Sequence, residues 1–131
     1  MTKNKIFPWL LRIIAAVIML QTLFFKFTAA PESVFIFSTL GIEPWGRIGT
    51  GIAELIASVL LLLPSTTVFG ALLAMGIMGG AIVSHLAVLG IEVRGDGGQL
   101  FAYALTVFIA SGILAWLNRE KIFGFIQARK A

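Results

Sequence analysis

The sequence predicts an all-α integral membrane four-helix bundle. Two observations carry that reading. The composition is 59% hydrophobic and only 12% charged, with a mean hydropathy of +1.00, and the apolar residues gather in four stretches, each near the ~20 residues that cross a hydrocarbon core as a helix. Ten basic and six acidic residues cannot dress the water-exposed surface of a soluble chain of 131 residues. With no internal repeat or low-complexity tract, residues 1–131 read as a single membrane domain, with spans about 7–26, 45–63, 67–89 and 99–117.

The first stretch reads as a span and not as a cleaved secretory signal. Arg12 and Gln21 interrupt it, and the small residues at Thr28 to Ala30 are followed by Pro31. The loop after it is itself apolar: Ser33 to Leu40 carries Val34, Phe35, Ile36 and Phe37 before Gly41, the pattern of a short interfacial helix with a glycine stop. Such a helix either acts as a lid or only packs over the bundle. Pro44 and Trp45 start the second span, and Pro64 to Thr67 make a tight hairpin into the third. Asp96 and Gln99 have capping-box spacing ahead of the fourth.

Basic residues assign the sides. Lys3 and Lys5 precede the first span, Arg119, Lys121, Arg129 and Lys130 follow the last, and the 64–67 loop is uncharged. Both termini are therefore expected in the cytoplasm. The opposite loops hold Glu32, Glu43, Arg47, Glu92, Arg94 and Asp96, without basic excess. The net charge of +4 is thus a topology signal and not a nucleic-acid footprint.

The chemistry available is narrow. Without cysteine there are no disulfides, iron–sulfur clusters or thiolate zinc sites, and one histidine, His85, cannot supply both axial ligands of a bis-histidine haem. No metal site is expected, and no catalytic motif is present. Gly95, Gly97 and Gly98 lie in a loop between helices, which does not support a phosphate loop.

Polar residues inside the spans are the candidates for function. They are Gln21 and Lys26 in the first span, Glu54 in the second, His85 in the third and Tyr103 in the fourth, all in the same half of the membrane, with Arg12 and Arg47 as structural charges. Spacing places Arg12, Met19 and Lys26 on one face of the first span and turns Gln21 away. Arg47, Gly51, Glu54 and Ser58 form a polar or small stripe, as do Ala74, Met78, Ala81 and His85, and Gln99, Tyr103, Thr106 and Ala110. Turned inward, these faces would frame a polar cavity holding Glu54, His85 and Tyr103, with Lys26 at its edge. Gly49, Ala53, Gly76 and Gly80 are expected to permit close helix approach. Glu54 has two readings: structural pairing with Lys26, Arg47 or Arg12, or a ligand or proton role. For Arg12, snorkelling to headgroups is favoured. His85 reads more readily as an interhelical hydrogen-bonding residue than as a ligand.

Taken together, the chain resembles the DoxX family of small four-helix membrane proteins. Arg12 and Lys26, fourteen apart, resemble that family's first-helix arginine and lysine. Gly41 to Pro44 is similar to its glycine–proline loop, Glu54 with the following leucine-rich run to its second-helix glutamate, and His85 to a frequent third-helix histidine. Leu23 departs from the glycine often found three residues before the lysine. The resemblance implies an inner-membrane protein that serves as a binding or accessory subunit in quinone-linked redox metabolism, relatives being named for quinol oxidase, thiosulfate:quinone oxidoreductase or oxidative-stress systems. No cofactor is certain from the residues, and quinone is the molecule implied. The expected partners are the lipid bilayer, a redox enzyme or a second copy of the chain. Two alternatives stand beside it: an oxidoreductase subunit in which Glu54 and His85 exchange protons while Lys26 or Tyr103 holds a quinone carbonyl, and a small transporter or proton pathway centred on Glu54.

Overall fold

Local chemistry sets where each helix starts and stops. The computed structural model describes residues 2–130, and side-chain surroundings over residues 6–128. The first helix, α1 (Thr2–Phe27), is followed by the short α2 (Pro31–Thr39), which begins on a proline whose fixed φ suits a first turn. It ends where Gly41 takes a φ of 79° and the Ile42 N–H returns to the Phe37 carbonyl. Helix α3 (Trp45–Leu62) stops because Pro64 disfavours helical geometry at Leu63, which is extended with ψ at 124°. Thr66 and Thr67 then donate back to the Leu60 and Leu63 carbonyls, both at 2.9 Å, and launch α4 (Thr67–Ser84).

Helix α4 widens into a π-turn over His85–Leu89, closed by Gly90 N–H to the His85 carbonyl at 2.7 Å. A loop leads to α5 (Gln99–Leu117), and α6 (Arg119–Lys130) follows directly. All described secondary structure is helical. Among the described residues, four segments are long and apolar enough to cross a membrane: Ile6–Phe27, Trp45–Leu62, Thr67–Leu89 and Gln99–Leu117.

Consecutive spans pack side by side, and α5 closes the ring against α1. Met19, Ala57, Leu61, Ala71, Ala74, Val107 and Leu114 are buried where the spans meet, while large side chains such as Phe24, Ile52, Val83 and Ile109 point outward. This inversion of size suits lipid, because small residues let helices approach and bulky ones already have apolar solvent. Helix α2 lies across the ends of α1 and α3 and touches the π-turn, with Ser33 and Phe37 buried beneath it.

Two sequence expectations need correction, and a third feature lies outside them. Gly49, Gly76 and Gly80 open onto space, with no atom within 4 Å of where a Cβ would stand. The close approach belongs to Gly70, where a Cβ would lie 2.6 Å from the Leu61 nitrogen and 2.9 Å from the Ala57 oxygen. The tight hairpin forces this, since α3 and α4 are nearest beside it. Secondly, α5 turns Ala104, Val107, Ser111 and Leu114 inward and leaves Gln99 and Thr106 exposed, so burial follows the apolar side of the helix, not its polar stripe. Thirdly, the charged tail forms α6, which the span pattern did not announce.

Gly70→Ala should therefore lower thermal stability in detergent, by about 1–3 kcal/mol for overpacking against rigid backbone. Gly49→Leu and Gly80→Leu should melt like the parent.

Candidate functional site

The first span carries a cation toward each end. Six residues into the first span, Arg12 donates from Nε to the Leu61 carbonyl at 2.6 Å and from Nη2 to the Leu62 carbonyl at 2.9 Å, and its guanidinium lies over the Trp9 ring. Those carbonyls end α3 and have no partner within their own helix. Arg12 is thus buried as a cap for a neighbouring helix, and the cation suits the negative end of the α3 dipole. The snorkelling expectation is corrected here: α3 ends beside Arg12 and offers acceptors closer than headgroups.

The same device recurs, reversed, at the other end. Arg47, in the first turn of α3, donates from Nη1 to the Lys26 carbonyl in the last turn of α1, and from Nε to the Glu43 carboxylate, 3.0 Å from Oε2. Glu43 is a partner that sequence reading passed over, although its i,i+4 spacing to Arg47 is a legible signal.

Between these two caps lies the ion pair. Lys26 Nζ stands 2.9 Å from Glu54 Oε1, with side-chain exposures of 14% and 3%. Of the three cations open to Glu54 in the sequence, the structure selects Lys26. Ser58, one turn on, spends its hydroxyl on the Glu54 backbone carbonyl at 2.8 Å. Arg47, Gly51, Glu54 and Ser58 are all buried on one face of α3. Phe27 covers Gly51, where a Cβ would come within 2.7 Å of the ring, so glycine makes room for an aromatic lid beside the pair. Among the described residues, Glu54 Oε1 has Lys26 as its partner, and a carboxylate with one cationic partner keeps further lone pairs that can accept.

The other candidates occupy separate places. His85 is buried, but its Nδ1 is 2.9 Å from the Gly90 carbonyl and its ring meets Phe101 edge-on at 5.5 Å, so it ties the π-turn to the following loop and α5. Tyr103 Oη accepts from Gln99 Nε2 at 2.9 Å on an exposed edge of α5. Gln21 is exposed on the outward side of α1. Among the described residues, no group of three or more His, Asp or Glu side chains converges as a metal site would.

Asp96 organises the loop before α5. Its carboxylate accepts from the Val93 N–H at 3.0 Å, the Gly98 N–H at 2.8 Å and the Leu100 N–H at 3.2 Å. The capping-box expectation is corrected: Gly98, with a φ of 87°, is the N-cap of α5, so Asp96 lies two residues before the cap and reaches the Leu100 N–H, while Gln99 turns to Tyr103. Burial alone would raise the Asp96 pKa, but these three donors, with a smaller contribution from His85, outweigh it and hold the carboxyl below its ordinary range.

The arrangement defines a class: a four-span helical membrane protein whose first two spans are joined end to end by cations and a buried ion pair. The chain belongs to the DoxX-like family, whose model matches residues 10–111 and so takes in Arg12, Lys26, Glu54 and His85. Neither the curated proteins nor the solved structures gave a match.

A depressed pKa means that Asp96 stabilises the fold fully above its unfolded pKa of about 3.9 and loses that contribution as pH falls through the folded value. Asp96→Asn should melt below the parent at neutral pH, and the gap should close below about pH 4. Thermal melts of both proteins in detergent across that range check this.

Proposed function

We propose that this membrane protein is a binding or accessory subunit, and that the Lys26–Glu54 pair is the polar end of its site for a small lipophilic molecule. The observation that carries the reading is the pair itself, buried at 2.9 Å, with Lys26 the more open partner and spare acceptor capacity on Glu54. Arg12 and Arg47 are spent on backbone carbonyls, so they hold the helices and leave the pair as the charge centre available to a ligand. Lysine offers donors to a carbonyl or an acid, and the aromatic side of Phe27 suits a flat or greasy body. A quinone-like molecule has that chemistry, and the family resemblance favours it, with a redox enzyme as the protein partner. The basic terminal segments and acidic opposite loops support an inner-membrane location with both ends cytoplasmic.

The test uses the paired variant Lys26→Met with Glu54→Gln, which removes both charges together and leaves neither stranded. Parent protein extracted from its native membrane in mild detergent should carry a small lipophilic molecule, identified by mass spectrometry. The paired variant, at normal abundance, should lose most of it. Retention at the parent level would overturn the reading.

A further inference from the structure

The segment after the last span has its own face. At 100° per residue, Ile122, Phe123, Phe125 and Ile126 fall on one side of α6, a side that Arg119 and helix positions 129 and 130 share, with Glu120, Gly124, Gln127 and Ala128 on the other and Lys121 at the border. Asn118 sets the direction. It leaves helical geometry at φ −110°, its Nδ2 donates to the Leu114 carbonyl at 2.8 Å, and its own carbonyl accepts the Lys121 N–H at 3.0 Å. The chain therefore turns as it leaves the span, and the Phe125 ring comes to 5.5 Å from Phe69, in the first turn of α4. Only part of the apolar side is used this way, since Phe123 remains 59% and Ile126 46% exposed.

Position tells what covers the rest. Helix α6 starts two residues after the last span ends, so its apolar side continues the lipid-facing belt at the level of Trp116, whose ring lies 4.1 Å under the Arg119 guanidinium. Trp9, under Arg12, belongs to the same end of the bundle. Tryptophans at that level mark the headgroup zone. Charge tells which lipid. The termini-bearing end carries Lys3, Lys5, Arg119, Lys121, Arg129 and Lys130 against Glu120 alone, whereas the opposite loops hold four acids and two arginines.

We propose that α6 is an interfacial helix that binds acidic phospholipid headgroups of the leaflet at the termini-bearing end, with Phe123 and Ile126 in the acyl boundary and Lys121, at the border of the apolar side, on the phosphates. Arg119 is held by the Trp116 carbonyl at 2.8 Å and serves the turn.

The full chain in nanodiscs supplies the test, with phosphatidylglycerol competing against phosphatidylcholine and bound lipid read by native mass spectrometry. The parent should retain phosphatidylglycerol preferentially. The variant Lys121→Gln should lose about fivefold of that preference, which is what one base near an acidic surface contributes. Because the chain has no native cysteine, Ile126→Cys takes a single solvatochromic label, which should report an apolar setting in phosphatidylglycerol vesicles. Equal retention of the two lipids by the parent, an unchanged preference in the variant, or a water-exposed label would each overturn the proposal.

Discussion

A cation inside a bilayer must find an acceptor, and a helix that ends inside or at the edge of one leaves carbonyls that must find a donor. Here the two needs meet. Arg12 of α1 serves the last carbonyls of α3, and Arg47 of α3 serves the last turn of α1, so two antiparallel helices cap each other at opposite ends. Between the caps, Lys26 neutralises Glu54. The span pair is thereby fixed in register, since sliding by one turn would misplace all three connections together.

The rest of the bundle is arranged on that pair. The α3–α4 hairpin is tight enough that Gly70 lies against the α3 backbone, and α5 packs across α4 and α1 through small and aliphatic residues. Helix α2 rests on the ends that Arg47 holds together, and its buried Phe37 gives it a fixed seat. His85 and Asp96 do comparable work at the far side, where the π-turn and a glycine-rich loop would otherwise have few internal bonds. Polar residues in this chain mostly order helix ends. The Lys26–Glu54 pair differs because both groups are side chains and one of them is partly open.

Much of this was legible from the residues. Hydropathy located the spans, Pro31 and Gly41 bracketed the short helix, and spacing put Arg47, Gly51, Glu54 and Ser58 on one buried face. What escaped has physical reasons. Periodicity gives a residue's direction around its own helix but not the neighbour it meets, so Lys26, Arg47 and Arg12 were equal candidates for Glu54. Glycine permits close approach without requiring it, which is why Gly70 is crowded and Gly49, Gly76 and Gly80 are open. Shared depth grouped Glu54, His85 and Tyr103, yet each is engaged with different partners, because depth does not fix azimuth. Helix α6 escaped because its apolar residues lie among charges and never form a span-length run.

The account rests on Lys26 and Glu54 being a coupled, mutually neutralising pair. The direct measurement is a double-mutant cycle on unfolding free energy in lipid or detergent, with Lys26→Met, Glu54→Gln and the two combined. Each single change strands a buried partner and should cost about 3–5 kcal/mol, while the combined change should recover most of that loss. Strictly additive losses in the double variant would contradict the pairing.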